Sequence, residues 1–314
     1  MIFDILHYIE NNLESSPSKK KQPLSVMHLD IHRSDMDRAM AFVFKEGDRY
    51  PEYVVKYPKC PEYSGQLLDE FNRYSEIYER LSPDLKRYLS NPICLYHQEN
   101  DVATIEKGLP GVSVWSLMKK KYNEKQILSY FDESFGFLIK FQNETCMNTD
   151  PSEEFLKKNF ETPIKLFCNR FSLTSPEKRT LSLVKDKAFD FLIHHKSVSA
   201  CHGDYWSNNL LIHNHKLFVV DWANCRPVFF KFWDLYSLIY MVPVGNDQIK
   251  QQYQKMGDDY LNKIHITHDI DPELRIIYCA IRSVWNEFLF NAIGPWDGKW
   301  KKNFDIELSR YVKK

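Results

Sequence analysis

Glycine is scarce in this chain of 314 residues, which contains only ten. That shortage excludes collagen-like repeats, glycine-rich linkers and low-complexity tracts. An excess of charge is also missing, since Lys+Arg and Asp+Glu both number 42. The chain therefore lacks the basic footprint that a nucleic acid or an anionic membrane surface calls for, and neither partner is expected. No apolar run reaches the roughly eighteen residues of a membrane span. The opening MIFDILHYIENN carries Asp4 and Glu10 inside its apolar stretch, unlike a secretory leader. Seven cysteines (60, 94, 146, 168, 201, 225 and 279) are scattered and form no C-x-x-C pair. Odd in number and unclustered, they fit reduced thiols rather than disulfides or a zinc site, and a cytoplasmic location is expected.

What is present is ample apolar material, 43% of residues with 15% aromatic, enough for two modest cores. Ile2, Phe3, Leu6, Ile9 and Leu13 recur at helical spacing, so residues 2–13 read as an amphipathic helix followed by an exposed linker, SSPSKKKQP. Residues 38–45 and 51–57 read as two antiparallel strands around the EGDRYP turn, and 93–108 as a second hairpin turning at Glu99-Asn100-Asp101. Between them SGQLLDEFNRYSEIYERL (64–81) has helical periodicity, with Ser64 as its cap. GLPGVSV (108–114) breaks the pattern, and the rest is mainly helical. The expected organisation is α+β and bilobal. A small β-rich lobe would occupy 1–107, with 1–23 as helix and linker, and a larger helical lobe 108–314.

The densest chemistry lies in CHGDYWSNNLLIHNHKLFVVDWAN (201–224). LLI and KLFVVDW are apolar runs separated by His213-Asn214-His215, which reads as a hairpin. Asp204 and Asn209 lead into it and Asp221 leaves it. The open end of such a hairpin gathers two carboxylates and an amide oxygen, the hard donors that Mg²⁺ accepts beside phosphate oxygens.

HGDYWSNN resembles the H-G-D-x-x-x-x-N pattern of the aminoglycoside phosphotransferase and choline kinase superfamily. VVDWAN resembles its metal-binding I-D-[FW] segment, and Asp234-Leu235 the D-[LI] that follows. The resemblance implies a protein-kinase-like fold, a nucleotide-binding lobe at 1–107 and a catalytic and acceptor-binding lobe at 108–314. It implies Asp204 as catalytic base and Asn209 with Asp221 as Mg²⁺ ligands, with ATP or GTP as co-substrate. By the same resemblance Lys56, ending YVVK, grips the nucleotide phosphates, with Glu70 as its ion-pair partner. ATIEKGLPG would be the hinge, its backbone pairing with adenine near Ile105, Glu106 and Lys107. The acceptor would be a small molecule bearing a hydroxyl: an aminoglycoside, an amino alcohol, a sugar or a similar metabolite. Trp206 beside the base, and Trp285 and Glu287 in RSVWNEFLF, are candidate acceptor contacts.

One departure stands out: HLDIHRSDMDRAMAF, where a glycine-rich phosphate loop belongs, has no glycine. Either Ser34 and backbone amides cover the phosphates there, or nucleotide binding is weak. The glycine shortage leaves a pseudokinase or regulatory nucleotide-binding module open. The second motif continues Trp-Ala rather than Phe-Gly, and no A-P-E element follows, which favours a small-molecule kinase over an atypical protein kinase.

Overall fold

The computed structural model describes residues 2–14, 22–29, 38–98, 101–120, 123–147, 151–195, 198–231, 233–240, 247–268, 273–290 and 299–312. The chain forms two compact units, each discontinuous in sequence: Met1–Glu144 with His202–Pro227, and Thr145–Cys201 with Val228–Lys314. The boundary expected at 107/108 falls inside the first unit. Strand pairing explains why: Val112 and Ser113 pair with Ile212 and Leu211, tying the segment after residue 107 to the motif hairpin.

The first unit is built on a five-stranded antiparallel sheet ordered β1-β2-β3-β5-β4. Its strands are β1 (Leu24–Leu29), β2 (Arg38–Lys45), β3 (Tyr53–Pro58), β4 (Pro92–Gln98) and β5 (Asp101–Lys107). Side chains alternate between its faces. Ala41, Val43, Tyr53, Val55, Tyr96, Ala103 and Ile105 form one buried face. Helix α1 (Ile2–Tyr8) and its π-helical continuation Ile9–Leu13 cover that face with Ile5 and Ile9, both fully buried. Each of these two side chains contributes roughly 1.5–3 kcal/mol by leaving water. The other face carries Lys56 opposite Thr104, and Glu106 opposite Val54. Helix α2 (Ser64–Arg80) crosses it and buries Leu67, Tyr74 and Ile77.

Ser64 is not the cap of α2. A 3-10 turn over Pro61–Tyr63 runs straight into the helix, so Ser64 already has helical backbone angles and its hydroxyl is buried without a described partner.

The second unit is mainly helical. Helix Leu274–Phe290 packs against Thr162–Arg170, Ser175–His195 and Lys299–Val312, and Phe167 meets Phe304 with ring centroids 4.7 Å apart. The polar stretch beginning near residue 248 is helical too, within Asp247–His268. Among the described residues all seven cysteines are free thiols and no helix is long and apolar enough to cross a membrane.

Candidate active site

The crowded motif folds as a hairpin. Leu210–His213 pairs antiparallel with Lys216–Val219, Leu210 facing Val219 and His213 facing Lys216. Asn214 and His215 both take positive φ, 47° and 61°, the left-handed pair that a two-residue hairpin turn needs to match strand twist. At the open end the Val220 N–H donates to the Asn209 carbonyl at 3.0 Å, adding a rung beyond the strands. That rung sets Asn209 beside the neighbour of Asp221. The Asn209 amide nitrogen donates to the Asp204 carbonyl at 2.9 Å and to the Asp204 carboxylate at 3.3 Å. Asp204, Asn209 and Asp221 thus share one end of one hairpin.

Backbone strain and close packing fix this end. Asp221 has φ 66° and ψ 64°, an uncommon conformation for a side-chain-bearing residue and one that concentrates at functional sites. Its carboxylate is exposed, and among the described residues nothing bonds to it. Gly203 takes φ +82°, and a Cβ there would lie 2.2 Å from the Asn224 carbonyl oxygen. Only glycine lets the two loops meet this closely. His202 is fully buried. Its Nε2 bonds the Val220 carbonyl at 3.0 Å, and its Nδ1 accepts the Asp204 N–H at 3.3 Å. Those partners assign the proton to Nε2 and make His202 a brace between the two halves of the motif.

Helix α2 holds the segment after Asp221. Tyr74 stacks on the buried Trp222, centroids 5.2 Å apart and planes 13° off parallel, and its hydroxyl donates to the Ser90 carbonyl. Arg73 donates from Nε to the Cys225 carbonyl at 3.0 Å. The Cys225 thiol is pushed up to about 12 by burial, which leaves it inert. A small cavity lined by Lys56, Glu70, Tyr74, Thr104, Glu106 and Trp222 lies among these parts.

The ion pair expected between Lys56 and Glu70 is not formed. Lys56 Nζ bonds Glu106 Oε1 at 2.7 Å, with both side chains more than nine-tenths buried, while Glu70 pairs with Arg38 of β2. The reason is register. Lys56 and Glu106 are diagonal neighbours on one sheet face, whereas Glu70 reaches from the helix and meets a longer cation first. Burial works against the Lys56 charge, but Glu106 and Asp221 outweigh it and hold the ammonium above the usual lysine range. Burial also raises the Glu70 carboxyl, against the opposing pull of Arg38 and then Lys56.

Much of the backbone expected to pair with adenine is engaged by protein partners. β5 lies between β3 and β4, so Ile105 and Glu106 have strand partners on both sides. Lys107 N–H donates to the Asn91 carbonyl at 2.8 Å, and Ser90 Oγ donates to the Lys107 carbonyl at 2.6 Å. The Gly108 N–H is taken by the Glu52 carbonyl at 2.8 Å. Trp206 is half-buried, its ring 5.7 Å from that of Trp115, and Lys119 lies over the Trp115 ring at 5.0 Å. Trp285 and Glu287 belong to helix Leu274–Phe290, but their side chains fall outside the described residues. So do residues 30–37, including Ser34, on which the glycine-free phosphate loop falls, and the turn residues Glu99 and Asn100.

Sequence reasoning missed the Glu106 carboxylate and Arg38. The first had a signal: in DVATIEK, Thr104 and Glu106 are polar at alternate positions and so share a face. Arg38 had none, because its pairing depends on where β2 meets the sheet.

An antiparallel sheet crossed by one helix, with the H-G-D…N and D-W loops in the same unit, defines a protein-kinase-like phosphotransferase. Residues 28–260 match the Phosphotransferase enzyme family (APH), and the chain belongs to that family, a class that passes phosphoryl groups to alcohols. A comparison with curated proteins finds no match. Among solved structures the chain is similar to a thermostable mutant of aminoglycoside phosphotransferase APH(4)-Ia in a ternary complex with ADP and hygromycin B. Identity is 12%, coverage 91% of this chain and 93% of that one, and TM-score 0.57. It is similar also to choline kinase from Cryptosporidium parvum Iowa II (13% identity, 100% and 96% coverage, TM-score 0.55). A third likeness is choline kinase LicA from Streptococcus pneumoniae (14%, 100% and 99%, TM-score 0.52). The chain is a phosphotransferase by family, and these likenesses show its kinase-like fold.

Proposed function

We propose that the chain transfers the γ-phosphoryl group of ATP to a hydroxyl of a small molecule, with Mg²⁺. The observation that carries this reading is the hairpin end where Asn209 bonds Asp204 and stands beside the strand residue preceding Asp221. Asp204 is the base that accepts the hydroxyl proton and aligns the nucleophile, held in place by the Asn209 amide and the His202 brace. Asn209 and Asp221 fit Mg²⁺: both offer hard oxygens, and the Asp221 carboxylate is exposed and makes no hydrogen bond among the described residues. When bound, the ion neutralises charge on the phosphate oxygens. Lys56 supplies a buried, paired ammonium for the nucleotide phosphates, and backbone beyond Gly108 pairs with the base. The fold neighbour solved with ADP and hygromycin B supports a nucleotide site. Trp206, beside the base, is the proposed acceptor contact of this unit.

The test is an ATP-consumption screen over amino alcohols, sugars and aminoglycosides. Turnover is expected with one acceptor class, at a kcat on the order of 1–100 s⁻¹. Turnover only on protein substrates contradicts the reading, as does none with any acceptor.

A further inference from the structure

We propose that Glu106, on the interior strand β5, is the residue that positions Lys56 for the nucleotide phosphates, and that Glu70 serves Arg38 instead. The inference rests on the phosphotransfer reading above and adds a positioning residue to it.

Among the described residues, four charged groups act on the Lys56 ammonium: Glu106 from β5, Glu70 from α2, Asp221 from the motif loop and Arg38 from β2. Among the described residues only Glu106 bonds it, at 2.7 Å, and that pair is almost fully withdrawn from water. A buried ammonium without a bonded carboxylate is strongly unfavourable, so the partner dictates where the nitrogen sits. Glu106 sits on a strand whose backbone is laddered to β3 on one side and β4 on the other. Glu70 lies on a helix attached by side-chain packing, and its carboxylate is engaged by Arg38. The sheet alone therefore fixes the lysine. A shift of α2 would move Glu70 and leave the Lys56–Glu106 pair intact, so this lysine carries no helix-driven off state.

The experiment measures Mg-ATP binding by calorimetry and steady-state kinetics for Glu106→Gln, Glu106→Asp and Glu70→Gln, each checked by thermal melt. Glu106→Gln is expected to weaken Mg-ATP binding and raise the KM for ATP roughly tenfold more than Glu70→Gln does. The KM for the acceptor should stay put. A purely structural role would lower apparent kcat and leave the ATP KM alone. Glu106→Asp keeps the charge and should recover most of the affinity, which also covers the case of Glu106→Gln failing to fold. A larger ATP defect in Glu70→Gln than in either Glu106 variant overturns the inference. Wild-type protein that binds no Mg-ATP overturns the proposed function itself.

Discussion

Asp204→Asn is expected to lower kcat by about 10²–10⁴ while Mg-ATP still binds. Asparagine has the same shape, and its side-chain oxygen can still accept from Asn209, whose nitrogen lies 3.3 Å from the present carboxylate. The His202 brace acts on the backbone N–H of residue 204 and survives the change. The change removes the negative charge and with it the capacity to take a proton. The loss should therefore fall on turnover at saturating nucleotide and acceptor, with the calorimetric ATP affinity close to wild type. A kcat within a few-fold of wild type would show that Asp204 is not the base.

Gly203→Ala is expected to damage both stability and rate. The left-handed conformation at φ +82° costs an alanine about 1–2 kcal/mol. The added Cβ would also lie 2.2 Å from the Asn224 carbonyl oxygen and 3.1 Å from the Asn224 Cβ, and neither backbone can yield without moving a loop. The combined loss should reach roughly 3 kcal/mol, read as a lower denaturant midpoint at unchanged slope. The displaced loops carry Asp204 on one side and Asp221 on the other. A shift near 1 Å there costs about 10²-fold in turnover of the protein that remains folded. An alanine variant with wild-type midpoint and kcat would refute the packing described.

Much of this was legible in the sequence because it is local. The apolar run in YVVKYP and the helical spacing of Leu67 and Ile77 follow from the buried faces they serve. The hairpin at 210–219 was readable from two apolar runs around a turn. Asp204, Asn209 and Asp221 could be picked out because one hairpin end gathers them with no long-range packing required. Three features were out of reach for the opposite reason. The partner of Lys56 depends on the β3–β5 register, so Glu106 was read for its backbone rather than its carboxylate. Glu70 was given to Lys56 by resemblance, although Arg38 of β2 pairs with it. The unit boundary escaped because Val112 and Ser113 pair with residues a hundred positions away.

Calorimetric titration of Mg-ATP into the wild-type chain and Asp221→Ala tests the central claim most directly. The exposed Asp221 carboxylate, beside the Asn209–Asp204 bond, predicts saturable binding by the wild type that weakens at least tenfold in the variant and loses its dependence on Mg²⁺. Absence of wild-type binding, or binding unchanged by Asp221→Ala, would contradict the assignment of this hairpin end as the metal and phosphate site.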